Sequence, residues 1–297
     1  IHTTFNVLAT ALLLPFNRLL EKLAILTIPD HKEPEKFQLL DERLLATPTV
    51  AVENARMLTV EMADLARSSL LQTMSLTHKW DENLAKQVAQ QEEQIDLYED
   101  HLGTYLVQLS SQDLSLEDSH NVSLLLHTIG DFERIGDHAM NLLDSAKEIH
   151  EKGIAFSEGA RQELAVLEAA IQKIRDLAIA CFREEEPQMA TQVEPLEDVI
   201  DGLVREMKNR HIQRLQSGEC TIVLGFVLTD LLTNYERVAD HCSNIAVELI
   251  QVLQGSFDTH QYFNEMDKEN GSLFQSMLEQ YRSSYVLPEN ASVEVKA

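Results

Sequence analysis

The sequence predicts an all-α protein built from two tandem, homologous three-helix bundles, and three observations support this fold class. From Val50 onward apolar residues recur at helical spacing, and no stretch shows the sustained alternation of a strand. The 297 residues include only 10 Gly and 7 Pro, so few positions interrupt a helix. A helical, acidic motif occurs twice, at 131–142 and again at 234–245.

Six helices are predicted, in two groups of three. Their approximate ranges are 49–74, 81–110 and 118–150 in the first group, and 157–184, 189–217 and 219–254 in the second. Gly153 separates the two groups and Gly218 separates the last two helices, because glycine commonly ends a helix. Connections this short favour antiparallel neighbours. The predicted domains are a membrane-proximal helix at 1–28, a linker at 29–48, bundles at 49–152 and 153–255, and a C-terminal helix and tail at 256–297.

The two bundles are predicted to be homologous because motifs match in the same order in both halves. The motif that begins at Asp131 recurs 103 residues later with its Glu, Arg, Asp, His and Asn kept. Upstream, 92–96 matches 197–201 at an offset of 105, and a weaker match joins 64–66 to 176–178. A period of about 100 residues indicates a duplicated domain, since the units of a solenoid are shorter.

The repeat carries pairs of acidic residues with E-x-x-x-D spacing. Residues four apart lie on one face of a helix, so two pairs on neighbouring helices can present four carboxylates to one point. Such oxygen ligands suit iron, manganese, magnesium or calcium. The predicted metal ligands are Glu92, Asp96, Glu133 and Asp137 in the first half, and Glu197, Asp201, Glu236 and Asp240 in the second. Because 49 of the 297 residues are acidic, a merely solvated acidic face is the alternative.

Further polar residues accompany these pairs in each half. Asn141 and Asn244 lie one turn further along the same face. His138 and His241 follow the aspartate and point roughly 100° away around the helix, so we expect them to support the ligands from behind or to pack between helices. The arginine of each motif is expected to form ion pairs with neighbouring carboxylates.

Several function classes are excluded. A di-iron carboxylate enzyme needs E-x-x-H motifs on two helices, whereas the good candidate, Glu117 with His120, occurs once and is not repeated in the other half. The sequence also lacks a P-loop, a nucleophile elbow and a dinucleotide fingerprint, so we expect no enzyme. With 49 acidic against 24 basic residues, the surface would repel the phosphate backbone of nucleic acid.

The first 28 residues have two interpretations. Residues 1–14 are largely apolar, but a membrane-spanning helix needs roughly 20 residues, and basic residues follow the apolar run where a signal peptide would have them before it. The segment could be the end of a membrane helix that leaves toward the cytoplasmic side, where basic residues concentrate. A buried amphipathic helix of a soluble protein is the alternative.

The repeated signature resembles that of the PhoU family of phosphate-uptake regulators. The motifs E-R-I-G-D-H-x-x-N and E-R-V-A-D-H-x-x-N carry this resemblance, which covers roughly residues 45–255. It implies two three-helix bundles whose E-x-x-x-D motifs bind multinuclear metal clusters on the bundle surface. Iron is the metal expected, with manganese, magnesium or zinc as alternatives, and the eight carboxylates named above are the ligands that the resemblance implies.

The flanking segments resemble parts of bacterial sodium/phosphate cotransporter proteins. Residues 2–6 and 14–16 resemble the last membrane helix of those proteins, 40–48 resembles their linker, and 262–288 resembles their extra C-terminal helix. This resemblance implies a cytoplasmic regulatory domain of a sodium-dependent phosphate transporter at the inner membrane, with phosphate, sodium, metal ions and the membrane as partners. The alternative is a soluble PhoU-type regulator of phosphate uptake and signalling. Homo-oligomerisation is left open.

Overall fold

The computed structural model describes residues 40–254 and 271–288, and all regular secondary structure within these residues is helical. A 3₁₀ helix, Glu42–Ala46, comes first. The α-helices are α1 (Pro48–His78), α2 (Glu82–Ser110), α3 (Leu116–Lys152), α4 (Glu158–Glu184), α5 (Pro187–Ala190), α6 (Val193–Gln216), α7 (Ile222–Gln254) and α8 (Gly271–Ser284). The predicted all-α class is confirmed.

The helices form two bundles in tandem, as predicted. In the first bundle α1, α2 and α3 each pack against the other two, and in the second bundle α4, α6 and α7 do the same. The C-terminal helix α8 packs against α6. The membrane segment predicted at 1–28 lies outside the described residues. None of the helices that are described is both long enough and apolar enough to span a bilayer.

Local chemistry explains where several helices begin and end. The side chains of Asp81, Ser115 and Ser157 accept hydrogen bonds from backbone N–H groups in the first turns of α2, α3 and α4. Gly153 follows α3 with a left-handed φ of 60°, a conformation that glycine adopts without steric cost. These caps separate the helices at the short connections that antiparallel packing requires.

Two helices differ from their predicted ranges. Helix α1 continues past residue 74 to His78 because Leu76 is buried in a small apolar cluster at this end of the first bundle. The helix predicted at 189–217 is two helices, α5 and α6. Pro195 has no N–H to donate to the carbonyl of residue 191 and would clash with it, so the helix that contains it cannot extend back into α5.

The bundles pack against each other through matched helices, with α3 against α7 and α1 against α4. The matched residues Asp64 and Asp176 each pair with an arginine of the other bundle. Arg67 Nε lies 2.9 Å from Asp176 Oδ1, and Arg183 pairs with Asp64. The arginines do not occupy matched positions, since Arg67 follows Asp64 by three residues and Arg183 follows Asp176 by seven. The matched aspartates therefore both form ion pairs across the bundles, but with arginines at different positions.

Candidate functional site

The structure brings three carboxylates together on the outer face of the first bundle. Glu92 and Asp96 come from α2 and Asp137 comes from α3, and each offers an oxygen within 4.8 Å of the others. We call this group the first carboxylate cluster. The fourth predicted ligand, Glu133, lies one turn before Asp137 and is outside this tight group. Its carboxylate still interacts electrostatically with Asp96 and Asp137.

The second bundle carries an equivalent group on α6 and α7. Glu197, Asp201 and Asp240 form this second carboxylate cluster, again with oxygens within 4.8 Å of one another. One oxygen of Asp201, Oδ1, is buried without a hydrogen-bond partner. The fourth predicted ligand, Glu236, is again outside the tight group, and its Oε2 lies 2.9 Å from Lys208 Nζ. Six of the eight predicted ligands thus fall into two triads.

The signature motif explains why α2 and α3 approach closely enough to form the first cluster. Gly136, the residue before Asp137, faces Ile95, the residue before Asp96. A Cβ atom at Gly136 would lie 3.1 Å from Ile95 Cδ1, tighter than ordinary van der Waals contact. The missing side chain lets the helices pack closely, and the acidic neighbours are carried to a common surface. The corresponding residue of the second bundle is Ala239, which is fully buried.

Burial and mutual repulsion raise the pKa values of these carboxyl groups. For Glu92 and Asp96 the larger cause is burial, and the smaller is repulsion from neighbouring carboxylates, including Asp137. In the second cluster the same causes raise the pKa of Glu197 to about 8, again with burial first and Asp201 next. Each cluster is therefore a place where a proton or a metal cation would relieve unfavourable charge.

The arginine of each signature motif pairs with the aspartate three residues later, as expected. Arg134 Nη1 lies 3.0 Å from Asp137 Oδ2, and Arg237 Nη1 lies 2.8 Å from Asp240 Oδ2. Both guanidinium groups are exposed, so water screens these ion pairs. The arginines neutralise part of each cluster without closing it.

The two signature histidines meet at the interface between the bundles. Their rings lie 5.5 Å apart. His138 Nδ1 is 2.9 Å from Asn234 Oδ1, and His241 Nδ1 is 2.8 Å from Asp131 Oδ1. Because Asp131 and Asn234 occupy matched positions, these two contacts are equivalent under the repeat. This geometry favours the packing function for both histidines, and support of a metal ligand stays a prediction.

The asparagines of the motif are both exposed. Asn244 Nδ2 donates a hydrogen bond to Asp131 Oδ1 at 3.1 Å, which connects α7 to α3. Asp131 thus accepts hydrogen bonds from two residues of the second bundle. The sequence did not predict this contact, although Asp131 is the first residue of the repeated motif. Its match with an asparagine, Asn234, in the other half was the signal that could have indicated a polar contact at this position.

A cavity of about 530 Å³ adjoins the first cluster, and sequence reasoning also missed it. Its lining residues are Glu99, His127, Gly130, Asp131, Glu133, Arg134, Asn244 and Glu248. Glu99 lies one turn past Asp96 on α2, so its spacing could have been recognised. The contribution of Glu248 could not, because this residue comes from α7 of the other bundle.

Comparisons with known proteins agree with this architecture. The family model described as PhoU domain matches residues 59–146 and 166–249. The chain is 25% identical to the phosphate-specific transport system accessory protein PhoU homolog 1 of Thermotoga maritima, over 66% of this chain and 84% of that protein. It is 23% identical to the accessory protein PhoU of Escherichia coli, over 73% and 89% of the two chains.

Solved structures support the fold. The crystal structure of PhoU from Pseudomonas aeruginosa superposes with a TM-score of 0.65 at 21% identity, covering 69% of this chain and 97% of that one. The regulatory protein PhoU of Streptococcus pneumoniae gives a TM-score of 0.63 at 14% identity, covering 71% and 99%. At these identities the superpositions establish the two-bundle fold alone.

These findings correct the expected inner-membrane location. That prediction rested mainly on 1–28, which the structure does not describe, and the helices that it does describe include no membrane-spanning candidate. The relatives are named as accessory proteins of a phosphate transport system. The predicted location is therefore wrong and is not retained. Since the PhoU domain model matches both bundles and more than half of the residues, this chain belongs to the PhoU family.

Proposed function

We propose that this chain is a metal-binding accessory regulator of a phosphate transport system. The observation that carries the proposal is the presence of two carboxylate triads at matched positions of a duplicated fold. An acidic surface could produce one such triad by chance. Two triads at equivalent positions, made by matched pairs of helices in the two bundles, are better explained by a common kind of ligand.

The donor set suits a hard cation. All six carboxylates of the two clusters offer oxygen, which iron, manganese and magnesium accept as ligand, while zinc would accept fewer of them. The unpartnered, buried Oδ1 of Asp201 and the raised pKa values of Glu92, Asp96 and Glu197 fit a site whose charge a cation balances. A bound metal would supply open coordination positions for phosphate oxygens. Iron remains the metal that we favour.

The regulatory part of the proposal follows the relatives. The curated proteins to which this chain is similar are named as accessory proteins of a phosphate-specific transport system. We propose the same kind of target here, with inorganic phosphate and the transport system as partners and no catalytic function. The activity of the transport system would then depend on how much metal is bound at the two clusters.

A regulatory domain of a sodium-dependent cotransporter is the less supported proposal. The segments that resemble its last membrane helix, at 2–6 and 14–16, and the start of its C-terminal segment, at 262–270, lie outside the described residues. Helix α8 is described and packs on α6, but a helix in this position does not identify a transporter. The accessory-regulator proposal accounts for both bundles and both clusters without a sodium site.

The proposal is tested by metal loading. The full chain is loaded anaerobically with iron or with manganese, desalted, and its metal content is measured by elemental analysis. We expect the double variant Asp137→Asn, Asp240→Asn to lose most of the bound metal while its helical circular dichroism is unchanged. The matched control is Asp144→Asn with Asp230→Asn, two exposed aspartates of α3 and α7, which should bind metal like the wild type.

A genetic assay tests the regulatory part. In the source organism, the gene is deleted and replaced by the wild type, the cluster variant or the control variant, and uptake of labelled phosphate is measured. We expect the cluster variant to behave like the deletion. Equal metal content in both double variants, or uptake independent of the clusters, would contradict the proposal.

A further inference from the structure

The two carboxylate clusters have different electrostatic surroundings along their ligand-bearing helices. Helices α2 and α6 align at an offset of 105, so residues 92–103 correspond to 197–208. The first stretch contains five acidic and no basic residues, whereas the second contains four acidic residues together with Arg205 and Lys208. On the signature helices the two arginines pair equivalently with Asp137 and Asp240, and Arg134 Nε also lies 3.4 Å from Glu133 Oε2. Arg134 is 59% exposed, so water screens this additional pair.

The contacts show that Lys208 acts directly on a predicted ligand. Its ammonium lies 2.9 Å from Glu236 Oε2, and the two side chains are only 38% and 32% exposed. Partial burial weakens the screening of such a pair by salt. The residue that matches Lys208 is Gly103, which has no side chain. Glu133, which matches Glu236, therefore has no lysine from α2 beside it.

A second basic residue extends this difference. Arg205 interacts electrostatically with Asp201, a member of the second cluster. The residue that matches it in α2 is Asp100, which has the opposite charge. Glu99 adds another carboxylate to the first bundle, where it interacts electrostatically with Glu133. The first cluster thus extends into more negative charge, while the second ends at two positive side chains.

We propose that Lys208, assisted by Arg205, is a built-in competitor for cations at the second carboxylate cluster, so that the first cluster binds a divalent metal more tightly. A cation at the second cluster either displaces the ammonium from Glu236 or binds the remaining three carboxylates in its repulsive field. At the first cluster α2 has no basic side chain at the matched positions, and the Arg134 guanidinium 3.4 Å from Glu133 is 59% exposed, so water screens it more than it screens Lys208. This inference rests on the proposed metal-binding function and adds an order of filling to it.

The consequence is a graded response. At low free metal only the first bundle would be loaded, and at higher concentration both bundles would be. A regulator with two matched but unequal sites responds over a wider range of metal concentration than one with two equal sites. Lys208 would be the residue that sets the separation between the two affinities.

Single-cluster variants isolate the two affinities. Asp240→Asn leaves the first cluster intact and Asp137→Asn leaves the second, and each full-length, metal-free variant is titrated with Mn²⁺. The EPR signal of free Mn²⁺ gives the dissociation constant, and circular dichroism verifies folding. We expect Asp240→Asn to bind Mn²⁺ about tenfold more tightly than Asp137→Asn, because a nearby unit charge changes cation affinity by about that factor.

Variants that change one charge test whether Lys208 weakens metal binding at the second cluster. In the Asp137→Asn background, Lys208→Gln should tighten Mn²⁺ binding about tenfold. The matched control is Lys152→Gln, which removes a lysine paired with Glu148 at 2.6 Å near the far end of α3, and should change nothing. In the Asp240→Asn background, Gly103→Lys should weaken binding. A side chain fits at position 103, since a Cβ atom there would lie 3.7 Å from the nearest side-chain atom.

The outcomes of these titrations distinguish failure of the Lys208 inference from failure of the proposed metal-binding function. Equal affinities of the two single-cluster variants, or no effect of both Lys208→Gln and Gly103→Lys, would overturn the competitor function while leaving metal binding intact. Absence of both iron and Mn²⁺ binding in the wild type would instead refute the metal-binding proposal itself.

Discussion

The two bundles have the same helices, yet side chains at matched positions differ in chemistry. Phe132 of α3 and Tyr235 of α7 match, and both are fully buried. Phe132 packs edge-on against the ring of Phe182, whereas the hydroxyl of Tyr235 donates a hydrogen bond to a glutamate, Glu168. The comparison shows that the duplicated backbone and core are retained while polar groups diverge, because packing constrains volume more strongly than it constrains surface charge.

The interface between the bundles shows the same divergence in one pair of contacts. His241 contacts the carboxylate of Asp131, and His138 contacts the amide of Asn234, at nearly equal distances. The acceptor is a carboxylate in the first contact and a neutral amide in the second, and a carboxylate is the stronger acceptor. The two bundles therefore have matching contact geometry but different charges at matched positions, and mutations at these positions can measure each difference.

The largest effect is expected from breaking the shared core. Phe132→Ala removes a fully buried ring that contacts Phe182 of the other bundle, so it should lower the free energy of unfolding by about 3–5 kcal/mol. Chemical denaturation followed by circular dichroism measures this change. Leu116→Ala is the control, since Leu116 is 75% exposed. A loss no larger than that of the control would show that the bundles do not depend on this contact.

An intermediate effect on the free energy of unfolding is expected at Glu248, where one bundle has a titrating group and the other does not. Glu248 of α7 matches Ser145 of α3. Burial, and to a smaller extent repulsion from Asp131, raises the pKa of Glu248 from 4.5 to about 8. Between these pH values the unfolded chain has lost a proton that the folded chain retains. The stability of the metal-free protein should therefore fall as pH rises from about 5 to 8, and stay level above that range.

Replacement of Glu248 measures this contribution. In the presence of a chelator, Glu248→Gln should reduce the pH dependence, leaving the part that Glu197 contributes, and stabilise the protein at pH 8 by about 1–3 kcal/mol. The free energy of unfolding is determined at several pH values for both proteins. Ser145→Ala, at the matched position, is the control, because it removes no titrating group. Parallel pH profiles for wild type and Glu248→Gln would refute the assignment.

The smallest effect is expected from making the interface symmetric. Asp131→Asn gives both bundles an amide opposite a histidine and weakens the contact with His241. We expect a loss of about 1 kcal/mol, which thermal unfolding detects as a shift of a few degrees. Asp144→Asn removes an exposed carboxylate from the same helix and should have almost no effect. Equal melting temperatures for the two variants would mean that the charge adds nothing to the interface.

Much of the fold was predictable because its signals are local. Apolar residues at helical spacing predict α2 and α3, and serine or aspartate caps begin them where the pattern begins. One of the two misplaced boundaries, the end of α1, has a non-local cause. Leu76 keeps α1 helical by burial against α2 and α3, which no pattern within α1 reveals. The break before Pro195 was local and could have been recognised.

The candidate site was predictable in part for the same reason. Spacing of four residues places Glu92 beside Asp96 on any α-helix, and the repeat then predicts the second pair. Helical spacing does not predict which side chains approach these ligands from a neighbouring helix. Glu133 and Glu236 were expected to be equal ligands, but only Glu236 has a lysine from the adjacent helix beside it.

The sequence by itself determined the helices, their duplication and the acidic face of each signature helix, because helical periodicity and the internal repeat are properties of the chain alone. The tertiary structure alone decided which carboxylates meet, that the signature histidines face each other across the bundles, and that Lys208 contacts Glu236. Such contacts depend on the crossing of helices that are distant in sequence, and helix crossing is determined by packing of the whole core.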